Sequence, residues 1–182
     1  MHGLARNGMI IDKNIKSKVN IDYLFLEGQV KIDAEYFINK INQNCHASGT
    51  HIVGEMTNFN FFNGDTKFEE FLVLVLKELD KHVFLRKYDF KEAWGYKQGF
   101  GHRTTEHDHI PNYLSGVLYL TNGNQKLLFK EINQEITPSV GKFVIFSSFL
   151  RHRAERNLSK EYKYGIAFNF KKAGQTFDNL RA

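Results

Sequence analysis

Cysteine occurs once in the 182 residues, at Cys45, and proline only twice. A lone thiol excludes an internal disulfide framework and suits a reducing compartment. Cys45 itself reads as a packing or surface thiol rather than a nucleophile. The scarcity of proline beside 17 Phe and 8 Tyr excludes a disordered or proline-rich chain and points to a packed one rich in strand formers. No apolar run approaches the length of a membrane span, and the start MHGLARNGMIIDKNIKSKVN lacks the continuous apolar stretch of a secretory signal. A soluble, cytoplasmic protein with no membrane partner is therefore expected. The net charge of +5 is spread over scattered lysines, without the clustering among exposed aromatics that would mark a nucleic-acid partner. Repeats, linkers and low-complexity tracts are absent too, and the length suits one domain over residues 1–182 that buries its own core.

Residues 1–20 are polar, basic and without period, and read as a loose arm leading to a first strand near 21–26. Asp33 has the character of a helix N-cap, and Ala34, Phe37, Ile38 and Ile41 recur at helical spacing, so 33–43 is expected to be an amphipathic helix. Residues 44–63 mix Gly, Thr, Asn and aromatics as loops and short strands do. His46 and His51 fall there, where a lone histidine is usually just solvated. Phe68, Phe71, Leu72, Val75, Leu76 and Leu79 form the apolar stripe of a second helix over 66–83. Strands then follow at 90–97, 113–121, 126–131, 142–148 and 162–171, with turn signals at Gly99-Phe100-Gly101, Asn122-Gly123-Asn124 and Pro138 to Gly141. Helices first and strands after them argue for α+β, with a jelly roll or barrel over 90–171 backed by the N-terminal helices.

The chemistry gathers around His107-Asp108-His109, which leads into the apolar run Tyr113 to Thr121. On a strand, residues two apart project from one face, so these imidazoles form a plausible pair of metal ligands. A catalytic metal usually takes three protein ligands and keeps a position open. His152, in Leu150-Arg151-His152-Arg153, is the best third candidate.

These motifs, in order, resemble the iron(II)- and 2-oxoglutarate-dependent oxygenases, and in particular a bacterial and phage group similar to prolyl hydroxylases. The pieces that match are Trp94-Gly95-Tyr96, His107-Asp108-His109, Leu114-Ser115-Gly116-Val117-Leu118-Tyr119-Leu120, Leu127-Leu128-Phe129, Gly141 to Ser148, Leu150-Arg151-His152 and Lys163 to Asn169. The resemblance implies a double-stranded β-helix with iron at its mouth, 2-oxoglutarate and dioxygen as co-substrates, and hydroxylation of a second substrate, a peptide or small molecule. A peptidyl proline is among the candidates. His107 and His152 take two places of the metal triad. The place between them is usually Asp, yet no His-x-Asp or His-x-Glu occurs in this chain. His109 stands there, with Asp108 on a kinked strand as the alternative. Three neutral imidazoles leave an iron(II) at a formal +2 rather than +1, and also suit zinc, copper and nickel.

The resemblance further places Lys163, eleven residues after His152, where the family usually has the Arg that pairs with the distal carboxylate of 2-oxoglutarate. Tyr119, Tyr96 and Leu127 fall in the same co-substrate pocket. Arg151, Arg153 and Arg156 read as solvated rim charges, Asn169 and Asn112 as orienting groups near the mouth, and Ser115-Gly116 as small residues permitting tight strand packing. Two other readings stay open. Gly101, five residues, then His107-x-His109 also opens a cupin motif of the three-histidine kind, although the glutamate that motif requires is missing from 110–114. A non-catalytic jelly-roll binding module is the other.

Overall fold

The computed structural model describes residues 23–81 and 88–174. The expected arm, Ile21 and Asp22 of the expected first strand, and the last two residues of the expected second helix lie outside them. The described chain runs β1 (Phe25–Gln29), α1 (Ala34–Asn44), β2 (His46–Ala47), β3 (Ile52–Val53), β4 (Glu55–Met56), α2 (Thr66–Leu79), β5 (Tyr88–Gln98), β6 (Arg103–His107), β7 (Leu114–Tyr119), β8 (Leu127–Phe129), β9 (Gln134–Ile136), β10 (Lys142–Ser147), β11 (His152–Ala154) and β12 (Lys163–Lys172). A seven-stranded sheet, ordered β1-β10-β7-β12-β5-β4-β2, faces a five-stranded sheet, ordered β3-β6-β11-β8-β9. This is the expected α+β double-stranded β-helix.

Each helix starts where a carboxylate caps it. Asp33 accepts the Tyr36 N–H at 3.1 Å and Asp65 the Phe68 N–H at 3.0 Å, each satisfying a donor the first turn leaves orphaned. Phe37 and Ile41 of α1 and Phe68, Phe71, Leu72, Val75 and Leu79 of α2 turn inward onto the outer face of the large sheet. Alternation along β12 shows why that sheet is buried twice over. Ile166, Phe168 and Phe170 face the helices, while Ala167 joins Trp94, Tyr96, Val117 and Tyr119 in the core between the sheets. Gly116 is required here, since a Cβ on it would meet the Phe168 ring at 2.3 Å.

Three strands fall outside the expected pattern. Residues 103–106, expected in a loop, form one strand with His107 that pairs with both β3 and β11. The strands β9 and β11 are three residues each, too short for a period-2 signal. No helix among the described residues is long and apolar enough to cross a membrane.

Candidate metal centre and cavity

His152 and His107 are direct partners in the antiparallel pairing of β11 with β6. Cross-strand partners project on one face, and these two rings lie 4.4 Å apart between centroids. His109 arrives from elsewhere. The strand β6 ends at His107, and residues 108–113 form a loop with a cis Ile110–Pro111 bond. The shared-face pair is thus His107 with His152, whereas the sequence pattern had placed His107 and His109 on one strand. The His109 ring still stands 4.9 Å from that of His107 and 5.1 Å from that of His152. Its loop is held at 2.8 Å by His109 N–H to the Ser148 carbonyl, and at 2.8 Å by Tyr113 N–H to that of Phe170. Asp108 turns away to accept the Ile110 N–H at 3.1 Å and is not part of the histidine cluster.

Two backbone carbonyls fix the tautomers. His107 Nδ1 lies 2.8 Å from the Thr105 oxygen and His152 Nδ1 3.0 Å from that of Leu150. A carbonyl only accepts, so each Nδ1 carries the hydrogen and each Nε2 presents its lone pair inward. The ligand atoms of the three histidines lie within 4.8 Å of one another and could hold a metal ion. Burial, followed by the neighbouring His107, holds His152 down to about 3. Burial and the neighbouring imidazoles hold His109 well below its ordinary range, and burial lowers His107 as well. All three rings are therefore neutral at pH 7, the state in which imidazole ligates. His51 stacks on His107 at 4.7 Å between centroids, while His46 lies exposed on β2 outside the cluster.

A cavity runs inward from these rings between the sheets, and cross-strand rows on the large sheet form one wall. Lys163 stands opposite Gln98, Gly165 between Tyr96 and Tyr119, Ala167 between Trp94 and Val117, and Asn169 between Glu92 and Ser115. Lys163, Gln98, Tyr96, Tyr119, Trp94, Leu127 and Thr104 line the cavity with the three histidines. Lys163 is 4% exposed and donates to the Gln125 carbonyl at 3.1 Å. No carboxylate among the described residues pairs with it, and burial pulls the amine down to about 7. Burial also raises the hydroxyls of Tyr96 and Tyr119 above their ordinary range. Three cavity-lining atoms are buried without a partner among the described residues: the Tyr119 hydroxyl, Gln98 Oε1 and Trp94 Nε1. Buried polar atoms nearly always have partners, so three orphans facing one space mark a place built for a polar ligand.

The structure thus brings His107, His109, His152, Lys163, Tyr96, Tyr119 and Leu127 around one space. It leaves the three arginines outside. Arg151 is half exposed and pairs with Glu106 at 3.8 Å, Arg153 with Glu155 at 3.3 Å, and Arg156 is exposed. Gln98, Thr104 and the Trp94 indole N–H went unforeseen. Extending the alternation Trp94, Tyr96 by one step would have found Gln98, but Thr104 sits on the unforeseen strand β6.

No family model matches the chain, and no curated protein does. Solved structures do. The viral collagen prolyl hydroxylase of Paramecium Bursaria Chlorella virus-1 superimposes with a TM-score of 0.66 at 14% identity, over 81% of this chain and 94% of that one. The fold is that of the 2-oxoglutarate oxygenases. A Pseudomonas putida prolyl-4-hydroxylase gives 0.65 at 15% identity, over 82% of this chain and 93% of that one. HygX from Streptomyces hygroscopicus, solved with nickel and 2-oxoglutarate bound, gives 0.62 at 11% identity, over 88% and 89%.

Proposed function

We propose that this protein is an iron(II)- and 2-oxoglutarate-dependent oxygenase, with His107, His109 and His152 as the metal ligands and Lys163 as the anchor of the co-substrate. The observation that carries this reading is the buried amine without a counter-ion among the described residues, at a cavity whose lining includes three neutral imidazoles. A buried charge needs a partner or it discharges, and the distal carboxylate of 2-oxoglutarate supplies one. The residues fit the metal as well, because two of the three imidazoles have their Nε2 lone pairs fixed inward by carbonyl contacts on the far side of the ring.

When bound, iron(II) supplies the activation of dioxygen, by which 2-oxoglutarate, O2 and a substrate C–H become succinate, CO2 and a C–OH. The chain's own residues bind and orient. Lys163 and the Tyr119 hydroxyl donate to the distal carboxylate, and Leu127, Val117 and Ala167 pack against the carbon chain and keep water out. Lysine offers a point charge rather than a fork, so the tyrosine supplies direction. The second substrate is a peptide or a small molecule. A peptidyl proline is favoured by the prolyl hydroxylases among the similar structures. The single thiol and the chain's composition favour the cytosol.

The test has an anaerobic binding arm and an aerobic turnover arm. Protein loaded with iron(II) should be protected against thermal unfolding by 2-oxoglutarate, and in air should release CO2 from its C1 carbon. The all-histidine donor set favours one other reading, a three-histidine metal dioxygenase of the cupin kind that makes no use of 2-oxoglutarate. Metal binding with no response to 2-oxoglutarate in either assay would select it.

A further inference from the structure

The row at the mouth end of the large sheet, Glu92–Asn169–Ser115, is polar, whereas the next row inward is Trp94–Ala167–Val117. Asn169 and Ser115 are 2% and 1% exposed and Ser148 is fully buried. Their hydrogen bonds run in one direction. Asn169 Nδ2 donates to Glu92 Oε1 at 2.8 Å, which fixes the amide and leaves Oδ1 to accept from the Ser115 hydroxyl at 2.7 Å. Ser115 has then used its one hydrogen, so the Ser148 hydroxyl, 2.8 Å away, must donate to it.

Backbone contacts and the far end of the chain close this line into a ring. The Ser148 carbonyl accepts the His109 N–H at 2.8 Å, and the His109 carbonyl accepts the Asn112 N–H at 2.8 Å. Asn112 Oδ1 accepts from Lys91 Nζ at 2.9 Å, and Lys91 lies 3.4 Å from Glu92. The same Ser147–Leu150 turn, closed by Leu150 N–H to the Ser147 carbonyl at 3.0 Å, presents the Leu150 oxygen to His152 Nδ1. One turn therefore orients two of the three histidines, and the polar row holds that turn.

We propose that Asn169, acting through the Ser115 and Ser148 hydroxyls and fixed by Glu92, is a positioning residue for His109. This rests on the metal reading above. His109 needs such a device because it lies in a loop, while His107 and His152 are set by a strand ladder. Buried polar networks that are fully satisfied specify a single arrangement, and this one encloses the loop that carries the third imidazole.

Cobalt(II) is the probe, with its affinity and visible ligand-field spectrum read alongside the thermal midpoint. Asn169→Ala should weaken cobalt binding about tenfold or more, as loss of groups behind a ligand does, and should change the spectrum. Glu92→Ala, at a partly exposed residue, should move both in the same direction and keeps the test available if Asn169→Ala folds poorly. The exchange Glu92→Gln with Asn169→Asp keeps the net charge and reverses one donor–acceptor pair, so it should restore both affinity and spectrum. A folded Asn169→Ala or Glu92→Ala protein with wild-type affinity and spectrum overturns the inference. So does an exchange variant that regains the wild-type thermal midpoint but not the cobalt site. If the wild-type protein binds no cobalt, the metal reading falls and takes this inference with it.

Discussion

On the proposed reading, raising the pH from 6 to 8 should weaken 2-oxoglutarate binding to the metal-loaded protein about tenfold, because the amine assigned to the distal carboxylate loses its proton in that interval. Burial holds Lys163 down to about 7, against about 10.4 for a free lysine. The ammonium fraction is then about 90% at pH 6 and about 10% at pH 8, and the apparent dissociation constant scales inversely with the competent fraction. Each further unit should weaken binding about tenfold again. The bound carboxylate stabilises the ammonium, so binding at pH 8 takes up close to one proton and binding at pH 6 almost none. Calorimetry in buffers of different ionisation enthalpy counts those protons directly. The histidines do not confuse the profile, since as metal ligands they stay neutral across it. In Lys163→Arg the slope should vanish, because a guanidinium keeps its charge. A flat wild-type profile between pH 6 and 9, or an unchanged profile in Lys163→Met, would refute the assignment of Lys163 as the anchor.

Stability of the ligand-free protein should rise with pH over the window from about 7 to about 10.4, because there the unfolded chain binds the Lys163 proton that the folded chain has released; thermal midpoints across that range check the sign. On the acid side His152 works in the same sense: its folded value of about 3 lies below the unfolded one, so stability present above pH 6.5 is lost as pH falls toward 3. Metal-free protein should show that loss in acid-denaturation curves, and His152→Phe should reduce it. Trp94 is the single tryptophan and its ring lies 6.1 Å from that of His109, so nickel(II) should quench most of the indole fluorescence in wild type and little of it in His152→Ala. A Cβ at Gly165 would meet the Tyr96 hydroxyl at 2.4 Å. Gly165→Ala should therefore push that ring into the cavity and lower 2-oxoglutarate affinity while nickel quenching stays unchanged.

The two helices, the long strands and the identities of the three histidines were legible because each depends on a local pattern. Asp33 caps at the place its sequence position implies, and the stripe from Phe68 to Leu79 is the buried face of α2. The strand Arg103–His107 was not legible, because Arg-Thr-Thr-Glu-His carries no apolar alternation. It forms by pairing with Ile52–Val53 on one side and His152–Ala154 on the other, contacts that no window of sequence contains. The same cause hid the geometry of the histidines. The sequence spacing of His107 and His109 looked like a strand pair, but the pair that shares a face is His107 with His152, residues brought together by register. Asn169 was foreseen as a group near the mouth, yet its partners Ser115 and Glu92 lie 54 and 77 residues away, so its buried ring of hydrogen bonds could only be seen once the strands were in place.

The imidazole at 109 and the lysine at 163 make sense together on charge. A triad of two imidazoles and a carboxylate leaves a divalent metal one formal unit less positive than three imidazoles do. Beside the more positive centre, a permanently charged guanidinium would add a further fixed cation to a cavity lined by no carboxylate among the described residues, at a Coulomb cost that burial magnifies. A buried amine avoids this by releasing its proton in the absence of ligand, and regains it when a dianion spans metal and lysine. At pH 8, where the amine is mostly neutral, the ligand-free, metal-loaded cavity carries a net charge near +2, opposite in sign and equal in size to the co-substrate's −2. Lys163→Arg should accordingly lower metal affinity in the absence of 2-oxoglutarate and leave it near wild type in its presence. Equal metal affinity in wild type and Lys163→Arg without co-substrate would break the link between the two substitutions.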